Sequence, residues 1–172
     1  MHQAEVVALA YRYPGTGSLE RLTDAVTLLP HGAPRRSLER FISAVGSLEL
    51  GEWEELHTGT LDLSPQFVPY VGYVTWGEDY RRGKFMADLK RDMVRHDIDL
   101  SGELPDHIEP VLRYLGRVPA PLTDLTDVLA TSVATMAATL ATAAPDNPYR
   151  HVLAATLAVV DDPTPVLLGV RR

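Results

Sequence analysis

Apolar residues recur along this chain at steps of three and four, and glycine- and proline-containing breaks divide them into helix-sized pieces. Val6, Val7, Leu9 and Ala10 begin a short first helix that Pro14-Gly15 ends. After Gly17-Ser18, Leu19, Leu22, Val26 and Leu29 form one stripe, closed by the breaker segment 30–34. Leu38, Phe41, Ile42 and Val45 mark a third helix, and Gly51 before Glu52-Trp53 starts a fourth running to about Asp62. Gly77 opens a long amphipathic helix with Phe85, Leu89 and Met93 on one side and Arg81, Lys84, Arg91 and Arg95 toward the other. A helix over 108–117 follows, and Leu122, Leu125, Leu129, Val133, Met136 and Leu140 trace a core stripe through a long Ala/Thr-rich one. Segment 145–148 breaks that helix and starts the last, with Asn147 as cap and Pro148 in its first turn. No alternating pattern is long enough for a confident strand, and Val166, Leu167 and Leu168 stay unassigned between strand and frayed end. The pattern predicts an all-α fold, a single helical bundle over residues 1–172.

Two places stand out from this regular patterning. Between residues 67 and 76 the chain is at its most aromatic, and Tyr70, Tyr73 and Trp76 follow at steps of three, which puts their rings on one face of a helix. The loop 99–105 leads to Asp106, three positions before Glu109, an aspartate form of the capping box, so Asp106 is expected to cap the helix that begins at His107.

Composition narrows the chemistry. The 45% hydrophobic and 23% charged content is that of a chain that folds. Without cysteine there is no disulfide, thiolate metal site or cysteine nucleophile. The formal charge of −7 argues against nucleic acid as the main ligand and suits a basic partner segment. The first residues carry no basic region with a long apolar core after it, so cytoplasmic residence is expected. Thr131, Ser132, Thr135, Thr139 and Thr142 interrupt the least polar stretch, which reads as a buried helix and not as a stable membrane insertion.

No catalytic motif emerges. The six histidines show no metal-binding spacing, and phosphate-cradling glycine loops and a nucleophile elbow are missing. A metal site, a bound cofactor and an enzymatic activity are therefore not expected. The most enzyme-like grouping is Glu103, Asp106 and His107, an acid–base cluster in sequence.

What remains lies between Asp62 and Tyr114. Leu61-Asp62 precedes the aromatic segment, Gly77-Glu78-Asp79-Tyr80-Arg81-Arg82-Gly83 opens the next helix, and Glu103-Leu104-Pro105-Asp106-His107-Ile108 opens the one after. Leu112-Arg113-Tyr114 and Asn147-Pro148-Tyr149 complete the set. This series, over roughly residues 52–160, resembles the nitrate reductase delta-subunit chaperones, the NarJ branch of the TorD-like redox-enzyme maturation proteins. Three positions depart from that pattern. His57 stands for a frequent tyrosine, Leu61 for phenylalanine and Arg113 for an acidic residue, and residues 1–50 carry no family motif.

The resemblance implies a cytoplasmic chaperone, not an enzyme, that holds the apo catalytic subunit of a molybdenum oxidoreductase until its molybdopterin cofactor is inserted. Respiratory nitrate reductase is the leading client, recognised through an N-terminal segment, and a related periplasmic dehydrogenase or reductase is the alternative. The implied partner-binding residues are Asp62, Tyr70, Tyr73, Trp76, Glu78, Asp79, Arg82, Glu103, Asp106 and His107. An aromatic floor with an acidic rim suits an arginine-bearing amphipathic helix. A different class of reading makes Arg81, Lys84, Arg91 and Arg95 the docking face of a helical adaptor for an acidic partner.

Overall fold

The architecture follows from which helix stripes need covering. The computed structural model describes residues 1–63 and 65–161, and among these it contains α-helices and no strand. The expected chain order holds: α1 (Gln3–Leu9), α2 (Ser18–Thr27), α3 (Ala33–Val45), α4 (Leu50–His57), α5 (Val71–Trp76), α6 (Tyr80–Arg95), α7 (Ile108–Arg117), α8 (Thr123–Ala143) and α9 (Tyr149–Val160). A π-helical turn, Thr58–Asp62, extends α4, so the fourth helix reaches Asp62 as its sequence predicts but widens over its last turn. Residues 166–168 lie outside the described residues.

The last helix, α9, is the hub. It packs against α3, α8 and α1, while α1 lies along α7 and α5 bridges α8 and α6. Each predicted stripe faces this centre. Leu125, Leu129, Val133, Met136 and Leu140 are buried and Leu122 is partly so, in the same core as Phe85, Leu89 and Met93. The aromatic interior joins Phe41 to Tyr149, with ring centroids 5.1 Å apart. Helix α8 runs between the breaks its sequence predicts. At 21 residues it is long and apolar enough to cross a membrane, with one face turned into the core and its threonines outward.

Helix starts are set by local chemistry. Asp79 caps α6 by accepting the Arg81 backbone N–H at 2.9 Å. Asn147 Oδ1 accepts the Tyr149 N–H at 2.9 Å, so asparagine does its expected capping work, although Pro148 is the residue at the helix boundary. Gly77, at φ 60°, occupies the left-handed region that turns the chain from α5 into α6.

Candidate functional site

The two distinctive sequence segments meet through backbone. Val71 N–H donates to the Asp106 carbonyl at 2.8 Å and Ile108 N–H to the Pro69 carbonyl at 2.9 Å, an antiparallel bridge between Tyr70 and His107. The bridge holds the start of α5 against the start of α7. Gly72 makes this approach feasible, because a Cβ there would lie 2.7 Å from Asp106 Oδ2 and 3.2 Å from both Arg82 and Phe85 side-chain carbons. Gly83, by contrast, faces open space.

Asp106 does not cap α7. Its side chain is fully buried and receives Arg82 Nε at 2.9 Å. The cap is His107, whose Nδ1 accepts the Glu109 backbone N–H at 3.2 Å. Glu109 likewise leaves the capping box. Buried Arg113 donates to it at 2.9 Å and exposed Arg12 at 2.8 Å, so the carboxylate has a guanidinium on its inner and its outer side. The physical reason is burial: a charged carboxylate enclosed this deeply needs a guanidinium more than a backbone amide. The arginine at position 113 is thus the internal partner of Glu109.

The three rings do not share one face. Tyr70 precedes α5 with extended backbone, and only Tyr73 and Trp76 belong to the helix. The Arg82 guanidinium lies 5.6 Å from the Tyr70 ring centroid and 5.2 Å from that of Tyr73, which ties these two together. Trp76 turns instead onto Phe85, at 5.0 Å. Tyr73 is the most open of the three, at 37% exposure.

Beside this network lies an open cleft of about 480 Å³. One wall is Glu103 and His107, and Tyr70 OH donates to Glu103 Oε2 at 3.3 Å while His107 Nε2 sits 3.6 Å from the same oxygen. The lining also includes Tyr11, Arg12, Tyr13, His57 and Asp62. Tyr13 packs edge-on against His57, with centroids 5.3 Å apart. Burial pushes the His107 imidazole down to about 4 and lowers His57 too, so both rings are neutral near pH 7. The Glu103 carboxyl is shifted up, first by burial and then by the carboxylates of Asp62, Asp106 and Glu109.

The predicted residues therefore sort by position. Tyr70, Arg82, Glu103, Asp106 and His107 form one connected network, with Tyr73 on its outer side. Asp62 lines the same cleft as Glu103 and His107. Glu78 is exposed, and Asp79 is engaged in capping and in an ion pair with Arg81. Of the trio Glu103, Asp106 and His107, only Glu103 and His107 line the cleft, since Asp106 is turned inward to Arg82. Sequence reasoning missed Tyr11, Arg12 and Tyr13, although an aromatic–basic–aromatic run in a stretch without motifs was a usable signal. Among the described residues no group of three acidic or histidine side chains has the arrangement to hold a metal ion. The cationic side of α6 is partly neutralised locally: Arg81 pairs with Asp79, Lys84 and Arg91 share Asp88, and Arg95 pairs with Asp92.

No family model matches this chain, and no curated protein matches it. Fold and site together define the class as an all-α bundle with an acidic, aromatic-edged cleft beside a buried arginine–aspartate pair.

Proposed function

We propose that the protein is a peptide-binding chaperone of the nitrate reductase delta-subunit type. It binds an N-terminal segment of the apo catalytic subunit of a molybdenum oxidoreductase, foremost a respiratory nitrate reductase, and holds it in the cytoplasm until the molybdopterin cofactor is inserted. Its own polypeptide has no catalytic step. The observation that carries this reading is convergence: Tyr70, Arg82, Glu103, Asp106 and His107, drawn from three separate motifs, form one connected network, and two of them, Glu103 and His107, line a cleft large enough for peptide side chains. A bundle needs no such meeting to be stable. An amphipathic segment would bury its apolar side against Tyr73 and the cleft rings while its cationic residues meet the carboxylates. Arg81, Lys84, Arg91 and Arg95 each have an aspartate partner on or beside α6, with Lys84 and Arg91 sharing Asp88, so that face offers an acidic partner less net positive charge than the sequence suggests.

The test is a tagged full-length chain expressed with the candidate apo catalytic subunit, followed by titration of that subunit's N-terminal peptide into wild type, Tyr73→Ala and Glu78→Gln. Capture of the subunit and weaker peptide binding in folded Tyr73→Ala support the proposal. No capture, or unchanged binding in both folded variants, overturns it.

A further inference from the structure

Resting on the peptide-binding reading above, we infer that the cleft contains a socket for one arginine side chain of the bound segment, formed by His57 Nδ1, Asp62, Glu103 and the ring of Tyr13. The starting observation is an orphan. His57 is only 4% exposed, and its Nε2 sits 3.1 Å from the Tyr11 carbonyl oxygen. A carbonyl only accepts, so the neutral ring carries its proton on Nε2 and presents a bare lone pair at Nδ1. That Nδ1 is buried with no hydrogen-bond partner. Asp62 Oδ2, itself an acceptor, lies 3.7 Å from it. Two acceptors thus confront each other with no donor between them, an arrangement that a donor-rich ligand relieves.

The charges around it point the same way. Three carboxylates line the cleft against one guanidinium, Arg12, and that guanidinium is held by Glu109. Asp62 and Glu103 are left with neutral partners, His57 for the one and Tyr70 and His107 for the other. Burial first, and then repulsion from neighbouring carboxylates, raise the Glu103 carboxyl, and an entering cation offsets the repulsive part. Arginine fits better than lysine because its planar fork offers five donors to several acceptors at once and stacks on an aromatic face. Tyr13, 58% exposed and seated against His57, supplies that face at the rim.

The experiment uses the full chain and a short amphipathic helical peptide with one arginine, together with a twin bearing citrulline, which has the same shape without the charge. Imidazole NMR signals of His57 and calorimetric affinities are the readouts. The arginine peptide should bind wild type roughly tenfold or more tightly than its twin and shift the His57 ring signals. Asp62→Asn, at a half-exposed side chain, should erase that preference by bringing the arginine peptide down toward its twin, and Glu103→Gln should reduce it. Equal affinity of the two peptides for wild type, or a preference that survives in both folded variants, overturns the socket. The two proposals fail separately. Arginine preference without capture of a molybdenum-enzyme subunit leaves the socket and removes that client, whereas capture with no arginine preference does the reverse.

Discussion

Arg82 and Asp106 form a buried ion pair in which the guanidinium Nε donates to Oδ2 at 2.9 Å, with the aspartate wholly enclosed and the arginine side chain 16% exposed. The pair is unequal, and the inequality is measurable. Removing Arg82 strands a carboxylate that has no route to water, which costs about 3–5 kcal/mol. In Asp106→Asn the amide still accepts one bond and the guanidinium leans toward solvent, so the loss is about 1–3 kcal/mol. Urea midpoints should therefore rank wild type above Asp106→Asn and Asp106→Asn above Arg82→Ala. The reverse order of the two variants would mean that the arginine, not the aspartate, is the trapped charge.

Two glycines in neighbouring helices give opposite outcomes. A methyl group at position 72 would sit 2.7 Å from Asp106 Oδ2, so Gly72→Ala must displace the Arg82–Asp106 pair or shift α5. It should destabilise by about 1–3 kcal/mol, as overpacking does. Gly83 is an exposed position inside α6 with nothing near its missing Cβ, and Gly83→Ala should stabilise by about 0.5–1 kcal/mol. Thermal unfolding of both variants checks the pair.

Leu129 lies in the α8 stripe at 2% exposure, within the core that α8 shares with α9. Leu129→Ala should cost about 2–5 kcal/mol in chemical denaturation. A loss well under 1 kcal/mol would show that the α8 interface is loosely filled.

The fold was legible because helix stripes are repeated signals. The Phe85/Leu89/Met93 and Leu125 to Leu140 positions each declared a face, and proline and glycine declared the ends. The site was legible only as a set of residues, not as an arrangement. Nothing local distinguishes Asp106, which turned inward to a guanidinium, from His107, which took the capping role one position later. The choice depends on Arg82, which lies on another helix and approaches only because residue 72 lacks a side chain. His57, Tyr11 and Glu103 come from distant parts of the chain and meet at the cleft through tertiary packing, which no periodicity encodes. Tyr70 fell out of its expected face because the chain is extended there, pairing with His107, so its step of three to Tyr73 does not carry a helical meaning.

His107 should make the fold acid-sensitive, and the sign follows from its two bonding roles. Its Nδ1 must stay unprotonated to accept the Glu109 N–H, and burial disfavours the charged ring, so its folded value falls from an ordinary 6.5 to about 4. The groups facing it are Tyr70, Glu103, Glu109 and, lining the same cleft, His57. Because the unfolded chain binds a proton at this site more readily than the folded one, stability is fully present above about pH 6.5 and is lost as pH falls toward 4. The whole interval corresponds to roughly 3 kcal/mol at most. His57, also lowered by burial, adds to the same slope. Asparagine at position 107 retains a capping acceptor but cannot titrate. His107→Asn should thus fold at neutral pH and lose less stability than wild type between pH 6.5 and 4.5, with the carboxylate contributions common to both chains cancelling in the comparison. Urea titrations at half-unit pH steps measure the two slopes. Identical slopes would move the acid sensitivity away from His107 to His57, the other histidine lowered by burial, which His57→Gln would then test.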